Sequence, residues 1–184
     1  TADNNTAVGD SALDANTTGA NNTSVGYSSL TSNTTGTLNT ALGRSALATA
    51  TTASSNTGLG YGALTANTTG ATNTAVGDNS LGSNTTASNN TAVGSSALVA
   101  NTTGAQNTAL GAGALDANTE GHYNISIGKD SGDNITTGDG NIIIGTVDAA
   151  SATGDRTLKI AGYDGTNTTT WISGDSSGNV TCPA

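Results

Sequence analysis

Apolar and polar positions along this chain recur on a beat of 17. The glycine that follows an aliphatic residue stands at Gly9, Gly26, Gly43, Gly60, Gly77, Gly94, Gly111, Gly128 and Gly145, every spacing being 17. Gly162, in KIAG, falls on the tenth beat. An Asn precedes each of the first nine glycines by four residues, from Asn5 to Asn141, and a Thr follows each by eight, from Thr17 to Thr153. Directly before the glycine the residue is always aliphatic: Val8, Val25, Leu42, Leu59, Val76, Val93, Leu110, Ile127 and Ile144. Four residues after it comes a second rank, Leu13, Leu30, Leu47, Leu64, Leu81, Leu98 and Leu115. Random low-complexity sequence has no reason to keep so strict a length, so a physical structure sets the count.

A parallel β-solenoid of 17-residue coils sets such a count. Each coil lands one strand spacing, ~4.8 Å, above the last, so equivalent positions stack into ladders and an insertion throws a rank out of register. The pattern predicts a strand at NTAVG, a candidate returning strand at ANTT, and glycines in the turns. The two aliphatic ranks are the expected core, with stacked Asn and Thr satisfying one another along the ladder. Helix is excluded by the recurrence of Gly and Thr. The solenoid is expected over residues 1–154, with a C-terminal β segment over 155–184, where Leu158, Ile160, Trp171 and Ile172 alternate between Gly-Asp turns.

Composition alone points the other way. Val, Leu and Ile make up 27 of 184 residues, and Phe and Met are absent, which taken without the period reads as disorder. The period overrules that reading, but the scarcity still matters. Two large apolar residues per coil give a thin core for one chain. The rank two before the glycine is small (Ala7, Ser24, Ala41, Gly58, Ala75, Ala92, Ala109, Ser126), which suggests close approach of another chain. Sharing burial among chains would repair the deficit, so an obligate homo-oligomer is expected.

The formal net charge is −9, with four Lys/Arg, too few for binding a nucleic-acid backbone or an anionic membrane. No apolar run approaches a membrane span and no leader pattern opens the chain; Thr1 stands in mid-repeat, as in a fragment or processed chain. Cys182 is the single cysteine, so neither an intrachain disulfide nor a thiolate cluster is expected.

The unit N-T-A-V/L-G-x-x-A/S-L-x-x-N-T-T-G resembles the repeats of phage tail fibres and, more loosely, the head repeats of trimeric autotransporter adhesins, over residues 4 to about 145. That resemblance implies a parallel homotrimer of left-handed β-rolls about one axis, on a virion or cell surface. The autotransporter repeat is shorter than 17, and neither a coiled-coil stalk nor a membrane anchor is seen here, which favours the tail-fibre type. The last 30 residues resemble the short β segment that precedes an intramolecular chaperone in some tail fibres.

Candidate chemistry is sparse. One His, one Cys and one Glu offer no catalytic constellation, and no enzyme activity, cofactor or metal is expected. His122 sits at a turn position with no spaced partner. Asp130, Asp133 and Asp139 lack the order of a calcium loop and read as solvated turns. Triplets such as those at Asn16, Asn33 and Asn101 match the glycosylation pattern formally, though the repeat generates them by itself. Tyr27 and Tyr61, directly after the glycine two coils apart, are the possible surface contacts, for a glycan or receptor. Trp171 is expected to close the core of the terminal segment.

The function expected is therefore non-enzymatic: a rigid trimeric fibre segment, extracellular or on a virion, supporting attachment. The alternatives are an adhesin head whose flank binds glycan or matrix and, more remotely, an ice-binding solenoid. The adjacent threonines of NTT weigh against ice binding, because neighbours point to opposite faces.

Overall fold

The computed structural model describes residues 2–182. It is a β-solenoid without helices among those residues. Nine three-residue strands stack in parallel, one per coil: β1 (Thr6–Val8), β2 (Thr23–Val25), β3 (Thr40–Leu42), β4 (Thr57–Leu59), β5 (Thr74–Val76), β6 (Thr91–Val93), β7 (Thr108–Leu110), β8 (Ile125–Ile127) and β9 (Ile142–Ile144). Equivalent residues are in register throughout, Val76 facing Val93 and Val93 facing Leu110, for example. The longer β10 (Leu158–Tyr163) continues the parallel stack, and β11 (Thr168–Gly174) and β12 (Val180–Thr181) add to it antiparallel.

The beat fails once, at the last coil. Ile160, not Ala161, pairs with Ile144, and Thr136 Oγ1 donates to the carbonyl of Ala152 rather than Thr153. That coil is one residue short, so Gly162 and Thr153 are off the expected positions. The ANTT segment is not a strand either. Its backbone is laddered instead, with Thr68 N–H donating to Thr85 O at 2.8 Å and Thr68 Oγ1 reaching the same oxygen at 3.0 Å.

Alternation within the strand decides what lies inside. In T-A-V the first and third side chains share a face, and the middle one takes the other. The small rank points in: Ala41, Ala75, Ala92 and Ala109 are fully buried, as are Ser24 and Ser126. The aliphatic rank before the glycine points out, with Val8 57%, Leu42 44% and Leu110 47% exposed. This corrects two expectations, since the pre-glycine rank is not core and the small rank is not where another chain could approach. One large apolar residue per coil remains inside, the leucine rank, and Leu30 to Leu115 are fully buried.

Those leucines stand in the left-handed backbone region, Leu30 at φ 46° and Leu64 at φ 55°. A bulky side chain there costs about 1–2 kcal/mol, against about 1.5–3 kcal/mol for its burial. The tight corner demands positive φ, and the interior demands a side chain that a glycine cannot supply. The surplus per coil is small. One coil relaxes the conflict: Gly132 takes the leucine position at φ 60°, and Ile135 and Ile143 fill the space, their carbons 3.3 and 3.4 Å from where its Cβ would be. The next corner needs glycine for a different reason. A Cβ on Gly77 would lie 2.5 Å from the carbonyl oxygen of Gly94 one coil above.

Asparagine supplies much of the remaining order. In the buried rank from Asn22 to Asn141, each Oδ1 but the last accepts the backbone N–H of the next Asn, as Asn73 does from Asn90 at 3.0 Å. Each Nδ2 crosses the coil to a carbonyl, as Asn73 does to Ala87 O at 2.9 Å. A second ladder runs Asn67, Asn84, Asn101, Asn118, with amide-to-amide bonds of 2.9–3.0 Å. It breaks where the sequence has Ala50 and Ile135, and there the buried Oδ1 atoms of Asn33 and Asn118 have no donor.

Candidate functional site

The most extended feature available to a partner is the outer strand face. Thr6, Thr23, Thr40, Thr57, Thr74, Thr91 and Thr108 form one rank, with Ile125 and Ile142 completing it. The Val, Leu and Ile residues before the glycine form the other, rising one strand spacing, ~4.8 Å, per coil. The result is a strip with an aliphatic edge over nine coils, exposed at Val8, Leu42, Leu59, Leu110 and Ile127 and half-buried at Val25, Val76, Val93 and Ile144. Scattered exposed apolar residues are ordinary, whereas a contiguous line of them marks an interaction surface. The sequence contained this signal. Strand alternation puts Thr6 and Val8 on one side, so placing the valine inside would have buried the threonine too.

Tyr27 and Tyr61 are exposed, in one rank, with Arg44 on the coil between. The guanidinium carbon of Arg44 lies 5.8 Å from one ring centroid and 5.6 Å from the other, within cation–π range. Ring surface expected to be open to a sugar thus faces a cation, and Arg44 is the member of this trio that sequence reasoning passed over, although it stands 17 residues from each tyrosine.

The acidic residues separate into two places. Asp130 and Asp133 line an open groove of about 360 Å³ with Asp148 and Lys159, near the β9–β10 junction. A hydrogen bond with Asp148, then burial, then the charges of Asp148, Asp116 and Asp130 push Asp133 up to about 7. Burial is also the main cause that raises Asp116. Asp139 lies elsewhere, its Oδ1 accepting the His122 N–H at 2.6 Å. His122 in turn accepts the Ala105 N–H on Nδ1 at 2.9 Å, as Ser54 and Ser88 accept on their hydroxyls from Thr37 and Ala71. These side chains fasten one coil to the next. Among the described residues no three His, Cys, Asp or Glu side chains are placed to hold a metal ion.

Asn33 and Asn101 are fully buried ladder members, so their glycosylation triplets face the interior. Trp171 does not close a core; its side chain is 57% exposed on β11, in a groove with Tyr163. Cys182 is exposed and unpaired. Among the described residues no helix is long and apolar enough to cross a membrane.

Compared with family models, curated proteins and solved structures, the chain matches none.

Proposed function

We propose that this chain is a non-enzymatic structural segment of a phage tail fibre or similar surface appendage, a rigid spacer made of three parallel chains that supports attachment to a host or surface. The carrying observation is the outer aliphatic strip, nine side chains long and unpaired within the chain. With one buried leucine per coil, each solenoid has little apolar burial of its own. Turning three strips towards a common axis would bury the aliphatic rank and leave the charged and tyrosine ranks outside. Short turns and ladder-bonded backbone suit a rod that must resist proteolysis. Antibodies against the native chain, used in electron microscopy of virions and cells, should label a fibre or surface projection. Labelling confined to the cell interior would overturn the proposal.

A second reading has its own support. The outer face presents two ranks, not one, so the expected objection to ice binding does not hold for T-x-V. The mixed Val, Leu and Ile rank, with Ile125 and Ile142 replacing Thr, suits side-chain packing better than a regular hydroxyl lattice. Thermal hysteresis in the native protein would favour ice binding over the spacer.

A further inference from the structure

The C-terminal hairpin departs from regular pairing at one residue. Ile160 pairs with Ile172 and Ala161 with Thr170, which leaves Trp171 as the extra residue of a β-bulge. Bulges re-aim side chains, and they recur beside functional sites. Here the indole is laid over the backbone of Gly162: a Cβ there would lie 2.7 Å from Cη2 and 3.3 Å from Cε2. The ring is therefore held by a glycine that leaves room for it, yet is 57% exposed. Its Nε1–H makes no hydrogen bond among the described residues.

Next along β10 comes Tyr163, 53% exposed, whose side chain alternates to the face opposite Gly162 and the indole, and then a turn fixed by Asp164. The carboxylate accepts the N–H groups of Thr166 at 2.9 Å and Asn167 at 2.8 Å. Those backbone bonds hold Asp164 below the usual carboxylate range, so it is ionised at neutral pH. Trp171, Tyr163, Asp164, Asn167, Thr169 and Gly162 line one groove of about 290 Å³, and no Lys or Arg is among them.

We infer that this groove binds a neutral saccharide, one or two rings in size, stacked on the Trp171 indole. A pyranose offers an apolar C–H face to an aromatic ring and hydroxyls to the carboxylate, amide and hydroxyl around it. The pattern of an aromatic surface with a few convergent polar groups is that of small-ligand sites. A fixed anionic carboxylate with no cation in the lining selects against phosphorylated, sulfated or sialylated ligands. A protein partner would need about 800 Å² of surface per side, far more than this groove provides. The groove is built from one chain, but Gly162 and Trp171 lie on the outer face just beyond Ile160, so the inference requires the proposed trimer contact to stop short of the hairpin.

Trp171 is the chain's one tryptophan, so intrinsic fluorescence reads the site directly. The native full chain would be titrated with maltotriose, chitotriose, cellotriose and galactobiose, and with sialyllactose as an anionic counter-probe, followed by a glycan array. At least one neutral sugar should give a saturable emission change, and sialyllactose none. Trp171→Ala should abolish array binding. Gly162→Ala, which displaces the indole, should weaken binding at least ten-fold while the melting curve stays in place, whereas Tyr163→Ala, on the opposite face, should leave binding within two-fold. A blank array for all neutral glycans, preference for the sialylated probe, or Trp171 shielded from acrylamide in the unliganded native protein would each overturn the inference.

Discussion

Replacing Ala50 by Asn should stabilise the protein, because it mends a ladder the sequence leaves broken. Asn33 donates to Asn16 Oδ1 at 3.0 Å, but its own buried Oδ1 meets Ala50 and has no donor. On the other side Asn67 Nδ2 donates to Gly70 O and has no Oδ1 below it to reach. The carboxamide introduced by Ala50→Asn would donate to Asn33 Oδ1 and to Ala53 O, and accept from Asn67 Nδ2. The fit has a precedent in the same chain: Asn84 makes this set of bonds beside an alanine, reaching Ala87 O at 3.0 Å and Asn67 Oδ1 at 3.0 Å. Satisfying one orphaned buried acceptor is worth about 1–3 kcal/mol, and two further bonds add about 1 kcal/mol each. Ordering and desolvating the new side chain costs on the order of 2 kcal/mol. A net gain of about 1–3 kcal/mol remains, or roughly 2–12 °C in melting temperature for a chain of this size. Asn84→Ala should do the reverse by orphaning Asn67 Oδ1. Circular-dichroism melts of the three proteins decide it. If Ala50→Asn melts no higher than the parent and Asn84→Ala no lower, the amide ladder does not contribute as argued.

Register should matter more than surface chemistry. Deleting one residue between Gly77 and Gly94 should abolish the cooperative melt, whereas Ser95→Ala, on an exposed position, should stay within ~0.5 kcal/mol of the parent. Leu64→Ala should cost about 2–5 kcal/mol, through lost burial plus a cavity, with Tyr61→Ala nearly neutral in the same melts. Asp133 carries a pH signature. Its folded value is raised from 3.8 to about 7, so the stability it lends is complete below about pH 4 and lost as pH rises through 7. Asp133→Asn should therefore melt higher than the parent at pH 8 and flatten the fall between pH 4 and 8; unchanged profiles would refute the carboxyl pairing with Asp148.

Strict spacing made the coil legible, because only stacked turns demand constant length. The leucine rank was legible as core for the same reason. What sequence reasoning missed follows from treating every aliphatic residue as interior. Val76 and Ala75 are neighbours on a strand, so only one can point inward, and the narrow coil takes the smaller. The polar remainder of the interior was legible, since stacked Asn residues were expected to satisfy one another along the ladder and do. Leu64 at positive φ was not readable, since that conformation normally signals glycine. The shortened last coil hid behind Gly162, whose spacing is right and whose pairing is not. Trp171 looked like a plug because it is large, and only the bulge shows that it is turned outward.

In the proposed fibre, copies of the same chain cover the outer strip. Sedimentation of the native protein beside Val93→Glu tests this directly, since Val93 lies mid-strip on β6. Three chains about one axis predict a trimer for the parent. They also predict dissociation and a large drop in melting temperature for the variant, where three carboxylates would be forced together at one level. A monomeric parent, with Val93→Glu melting within the ~0.5 kcal/mol usual for a surface substitution, would contradict it.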